Sequence, residues 1–136
     1  MEKISYSPKN TELIGISFSK QINSGDIIAI NGTLGAGKTT FIKGVLQGLG
    51  YKGNVSSPTY TLINEYDSIY KVIHIDCYRE NSINRWMDIG IIDYLNAENV
   101  VIIEWAEYID SILPENTISI DISHVSELKR KIQILR

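Results

Sequence analysis

The stretch Ile27-Ile-Ala-Ile-Asn-Gly-Thr-Leu-Gly-Ala-Gly-Lys-Thr39 carries more of the fold than any other part of the chain. A short apolar run leads directly into Gly32-Thr-Leu-Gly-Ala-Gly-Lys-Thr39, which fits the phosphate-loop pattern GxxxxGK[ST]. Glycines let the backbone wrap around phosphates in conformations that a Cβ forbids. Successive N–H groups and the N-terminus of a following helix then offer positive partial charge to an anion. Lys38 adds a full charge for the β- and γ-phosphates, and the Thr39 hydroxyl suits Mg²⁺. An accidental Gly-rich turn is the plain alternative, but at average residue usage one match in a chain of this length has odds of about 0.5%. The flanking pattern lowers those odds. Ile42, Val45, Leu46 and Leu49 fall at i, i+3, i+4 and i+7, one helical stripe, with Gly50 as a stop signal. The motif reads as a nucleoside-triphosphate site.

Outward from this strand–loop–helix unit, the rest of the chain alternates strand and helix patterns. Ser7-Pro8 is a cap followed by a first-turn proline and opens a helix running to about Ile22. Asn23-Ser-Gly25 ends it before the strand Asp26–Ile30. Residues 51–54 read as a loop, and Val55–Tyr66 as β-rich, interrupted at Ser56-Ser57-Pro58. Asp67-Ser68 turns that segment into a second strand, Ile69–Asp76. Residues 82–95 form one helix with Ile83, Trp86, Met87, Ile91 and Leu95 on its apolar face. Val100-Val-Ile-Ile103 is wholly apolar and β-branched, the pattern of a strand covered on both faces. Strands near Ile118–Ile122 and Lys131–Leu135 close the sheet as a hairpin. The fold class that follows is α/β: a P-loop NTPase-like sheet with a parallel core, added antiparallel strands and flanking helices, in a single domain over residues 1–136.

Composition limits the alternatives. A chain of 136 residues with 43% hydrophobic and 21% charged residues builds one ordinary globular core. A net charge of −3 argues against a broad nucleic-acid surface, so no DNA partner is expected. The single cysteine, Cys77, permits no internal disulfide and no cysteine-cluster metal site. Met1-Glu-Lys-Ile-Ser-Tyr6 lacks the apolar core of a signal peptide, and no apolar run has membrane-spanning length. A cytoplasmic protein without a membrane partner is the expectation.

A phosphate loop needs carboxylates to manage Mg²⁺ and water, and two end apolar strands. Asp76 closes Val72-Ile-His-Ile-Asp, and Glu104 closes Val100-Val-Ile-Ile-Glu. Both have the form of a Walker-B acid at a strand's C-terminal edge, where open α/β sheets bind ligands. The plain alternative is a charged residue marking the strand's exit to solvent. The division of labour read here gives one acid Mg²⁺ through water and the other the attacking water. His74 and His124, far apart in sequence, read as structural, with His74 on the opposite strand face from Ile73 and Ile75. Arg79 and Arg85 are each either a transition-state arginine or a salt-bridge partner.

At this point the residues resemble a family. Gly35-Ala-Gly-Lys-Thr-Thr-Phe41, Asn54-Val-Ser-Ser-Pro-Thr-Tyr-Thr61, His74-Ile-Asp-Cys-Tyr-Arg79 and Ile103-Glu-Trp105 together are similar in order and spacing to TsaE (also called YjeE), over nearly the whole chain. The resemblance implies a slow, Mg²⁺-dependent ATPase of tRNA threonylcarbamoyladenosine biosynthesis. It would work with TsaB and TsaD, which modify adenosine 37, and sustain or reset that complex; tRNA would be met indirectly through it. Carried over, the nucleotide falls to Gly32, Leu34, Gly35, Ala36, Gly37, Lys38, Thr39 and Thr40. A basic residue near the C-terminus joins them, best matched by Arg130 or its neighbour Lys129. Thr39 and Glu104 become metal ligands with Asp76 as a second acid, and Lys38, Asp76 and Glu104 are the catalytic set. Thr59 would be switch-like, sensing the γ-phosphate, and Trp105 would pack beside the site, with core or interface packing as its alternative.

Departures from the family pattern are local. The loop begins Gly32-Thr33-Leu34-Gly35 where Gly-Asp-Leu-Gly is usual, so a carboxylate is lost at Thr33. Glu80 stands where leucine is usual, and Met87-Asp-Ile-Gly90 replaces the common acid-leucine pattern. Two other readings compete: a non-catalytic nucleotide-dependent switch, and a small-molecule kinase, which the short chain without an Arg-rich lid disfavours. A GTPase is disfavoured too, because Asn64-Glu-Tyr-Asp67 lacks the lysine of the base-reading motif.

Overall fold

A computed structural model describes residues 1–33, 35–56, 58 and 61–135. Seven strands form one sheet: β1 (Glu2–Ser5), β2 (Ile27–Asn31), β3 (Ile63–Asp67), β4 (Lys71–Asp76), β5 (Val100–Glu104), β6 (Ile118–His124) and β7 (Arg130–Leu135). Their order is β1-β7-β6-β2-β5-β4-β3. β6, β2, β5 and β4 pair in parallel, while β3, β7 and β1 add antiparallel edges. The expected class, a parallel core with antiparallel additions, is the observed one.

The central strands are apolar on both faces because both faces are covered. All five residues of β5 are buried. On one face, Ile28, Ile30, Val100, Ile102 and Ile120 pack under α1 (Pro8–Ser19) and α2 (Lys38–Gly48). On the other, Ile73, Ile75, Val101 and Ile103 pack with Trp86, Ile91 and Ile109 from α3 (Ile83–Ile89), α4 (Ile91–Leu95) and a 3₁₀ segment, Ala106–Ile112. The first two helices cross at very close range through glycines. A methyl on Gly44 would run into the Glu12 carbonyl, and one on Gly15 into that of Phe41. This brings the start of α1 up to the loop that precedes α2.

Three local expectations are corrected and one strand is added. The first helix ends at Ser19, since Lys20, Gln21 and Ile22 donate three residues back, a tightened last turn. The segment 82–95 breaks into α3 and α4 at Gly90, whose φ of 95° closes the first helix in the left-handed region. Among the described residues, regular pairing in the β-rich segment covers Ile63–Asp67, and Ile69 leaves the hairpin to donate to the Leu49 carbonyl. Glu2–Ser5, which carries no strand pattern in the sequence, pairs with Arg130–Gln133.

Candidate functional site

The site grows from the C-terminal ends of three parallel strands. β2 leads into the loop, and Gly37 caps α2 with a φ of 102°, a conformation open to glycine and strained for other residues. No side chain caps this helix, so its first N–H groups face the loop. Ala36 is buried and its N–H donates to the Thr33 carbonyl; Thr33 itself is exposed. Lys38 opens α2 and is only 6% exposed. Its Nζ donates to the Gly32 carbonyl at 2.7 Å and lies 3.7 Å from the centre of the Trp105 ring. Burial pushes the ammonium below its ordinary value, while the carboxylates of Glu104, Asp76 and Glu107 pull it back up. Thr39 follows on the exposed side and Thr40 is half-buried.

The two acids come together by register. Asp76 on β4 lies beside Glu104 on β5, and Glu104 lies beside Ile30 on β2, one residue before the loop's approach. Each is 3% exposed. Asp76 accepts the Tyr78 N–H at 2.8 Å, and Glu104 accepts from His74 Nε2 at 2.7 Å. His74, expected to be structural, is completely buried. Carboxylate oxygens at the strand ends and the Thr39 hydroxyl at the start of α2 are hard donors of the type that suits Mg²⁺. The residues therefore fit the metal that the sequence implies.

Trp105 follows Glu104 with a φ of 58° and stacks its ring 4.8 Å from that of Tyr78. Its contact with Lys38 places it at the site. Arg130 reaches the loop from β7: Nε donates to the Ala36 carbonyl at 3.1 Å, while Nη1 donates to the carbonyls of Ser126, Glu127 and Lys129. Its neighbours point elsewhere, Lys129 over the Tyr6 ring and Lys131 to Glu2. Beside the loop lies a cleft of about 220 Å³, lined by Ser7, Pro8, Thr11, Gly37, Leu128 and Arg130 among others. In the sequence Ser7 and Pro8 mark only a helix start and nothing ties them or Thr11 to the loop, because only the glycine-mediated helix crossing brings the start of α1 here.

Other expected residues lie at the margin or beyond. Leu34 and Thr59 are outside the described residues, and so is Ser57. Of their neighbours, Leu62 donates to the Pro58 carbonyl and accepts the Asp76 N–H, which ties that part of the chain to the acid. Arg85 pairs with Glu80 at 3.4 Å, the salt-bridge alternative. His124 is exposed at the end of β6.

The family model for threonylcarbamoyl adenosine biosynthesis protein TsaE matches residues 5–132. The chain belongs to the TsaE family. The Haemophilus influenzae protein named tRNA threonylcarbamoyladenosine biosynthesis protein TsaE is 44% identical over 104 residues, 76% of this chain and 66% of that protein. The Bacillus subtilis TsaE is 36% identical over 127 residues, 93% of this chain and 79% of its own length. The crystal structure of Bacillus subtilis YdiB matches with a TM-score of 0.85 at 31% identity, over 98% of this chain and 83% of that one. The TsaE match spans both the phosphate loop and the two acid-bearing strands. No helix among the described residues is long and apolar enough to cross a membrane.

Proposed function

We propose that this TsaE-family chain is an ATP-binding, slowly ATP-hydrolysing protein of tRNA threonylcarbamoyladenosine biosynthesis. The observation that carries the reading is the juxtaposition of Asp76 and Glu104 beside Lys38 of the phosphate loop. A pure binding loop has no need of two buried carboxylates side by side, since each costs desolvation and repels its neighbour. A hydrolase needs them, one for the metal and one for the attacking water.

In this reading Gly32 to Thr40 wrap the phosphates, and Lys38 exchanges the Gly32 carbonyl for the β/γ-phosphate oxygens. Anionic phosphate favours the charged ammonium that burial disfavours, so phosphate binding relieves the strain on that residue. Thr39 and one of the two acids would hold Mg²⁺, and the other acid would orient water towards the γ-phosphate. Bound Mg²⁺ supplies neutralisation of the charge that develops on the phosphate oxygens. The cleft beside Arg130 and the start of α1 takes the nucleoside, with Arg130 bracing the loop through Ala36. Thr59, flanked by chain tied to Asp76, would sense the γ-phosphate. The family names of the relatives support tRNA modification, and TsaB and TsaD are the expected partners, with tRNA met through them.

Glu104→Gln tests the reading, because it keeps size and hydrogen bonding while removing charge. Steady-state phosphate release is expected to fall about 100-fold while nucleotide affinity stays within about threefold, the mark of an interaction made in the transition state. Unchanged release would overturn a catalytic role for Glu104. Release no higher in the parent chain than in Lys38→Ala would favour a nucleotide-binding switch instead.

A further inference from the structure

His74 is out of place in its strand. Val72, Ile73 and Ile75 are fully buried aliphatics, and an imidazole among them must be desolvated at a cost that hydrogen bonds have to recover. The recovery is incomplete. Nε2 donates to Glu104 Oε2 at 2.7 Å, but among the described residues the buried Nδ1 has no hydrogen-bond partner. A buried polar group kept only partly satisfied is a poor device for stability, and such exceptions gather where function requires them.

The sheet register explains what the ring does. Glu104 has Ile30 on one side and Asp76 on the other, so one neighbour gives it no hydrogen bond and the other carries like charge. Asp76 is held by the Tyr78 N–H. Without a donor of its own, Glu104 would be driven by that repulsion towards the Lys38 ammonium. His74 lies two residues before Asp76 on the same face of β4, and its ring reaches diagonally across to β5. A carboxylate accepts only, so in this bond the Nε2 N–H is the donor and Oε2 the acceptor.

We propose that His74 is a positioning residue: it ties down Oε2 of Glu104, keeps the carboxylate off Lys38, and leaves Oε1 as the oxygen that serves the metal or its water. The proposal rests on the reading of Glu104 given above, and deepens it. His74 touches neither nucleotide nor metal; it acts through Glu104. Partners of this kind behind a metal-binding carboxylate change metal affinity or activity by about 10–100-fold when removed.

The test is a cycle between His74→Leu and Glu104→Gln, read by electron paramagnetic resonance of Mn²⁺ bound with β,γ-imido-ATP. His74→Leu is expected to weaken Mn²⁺ about tenfold in the parent chain and by about twofold or less in Glu104→Gln, because the residue through which it acts is already altered. His74→Gln, which keeps an N–H near the Nε2 position, is expected to recover most of the loss. In parallel, kcat for phosphate release should fall about tenfold in His74→Leu with KM for ATP nearly unchanged. If the leucine variant does not fold, His74→Asn takes its place, since its amide is too short to reach Oε2. Equal weakening of Mn²⁺ in both Glu104 backgrounds, or no weakening in either, overturns the proposal. Failure of the parent to hydrolyse ATP overturns the hydrolase reading alone, because the Mn²⁺ cycle still reports on His74.

Discussion

Cys77 follows Asp76 directly, is wholly buried, and donates its N–H to the Glu104 carbonyl. Burial, reinforced by the charges of Asp76 and Glu107, pushes its thiol up to about 12. A raised folded-state value means stability that is fully present below the unfolded value near 9 and is lost as pH rises towards 12. From pH 8 to pH 10 the parent is expected to lose about 1.4 kcal/mol more than Cys77→Ala, by urea unfolding at each pH. Lys38 titrates in the opposite sense but is common to both chains, so it drops out of the difference. Equal pH dependence in the two would mean that the thiolate is not desolvated. At this scale the sequence was informative where chemistry is local. The phosphate loop, Asp76 and Glu104 could be named because a loop pattern and strand ends are visible in one dimension. The bond between His74 and Glu104 could not, because it depends on which residues of β4 and β5 lie abreast, and nothing in either strand states that register. The Lys38–Trp105 contact was hidden for the same reason, although proximity of Trp105 to the site was expected from the family resemblance.

Elements are held in place around the site mainly by α1 and α2, and their crossing depends on side chains that are missing. Gly44→Ala places a methyl against the Glu12 backbone, which cannot swing away as a flexible side chain would. A loss of about 1–3 kcal/mol is expected in denaturant unfolding, whereas Lys43→Ala on the exposed side of the same helix should stay within about 0.5 kcal/mol. Equal small effects would show that the helices can separate without cost. Strand and helix patterns were legible wherever an element buries a regular face, as in α2 and β5. They failed where a tertiary partner decides. Glu2–Ser5 has no apolar alternation and becomes a strand because β7 offers it an edge. Residues 82–95 keep a helical stripe through Gly90, yet the backbone turns there, since glycine can enter the left-handed region where other residues resist.

The whole molecule is one mixed sheet, parallel at its centre and antiparallel at its edges, and the ends of its parallel strands gather a phosphate loop, two acids and a buried lysine into one place, within the TsaE family fold. Alternation of strands and helices along the chain was enough for that class, because only a few layered arrangements bury such a pattern. The order of strands was not legible, since β6 reaches β2 in parallel only after a long excursion through β3, β4 and β5. Arg85, one of the two arginines weighed for the transition state, is engaged with Glu80. Arginine fingers bring about 10³–10⁵ in rate, often from a partner, so slow hydrolysis alone and faster hydrolysis in a complex are expected. The most direct measurement is phosphate release from Mg-ATP by the purified chain, alone and with the cognate TsaB–TsaD pair, against Lys38→Ala as the blank. Slow release that rises on adding the pair and is lost in Lys38→Ala is the expected result. No release above that blank in either setting, with nucleotide still bound by the parent chain, would contradict the account.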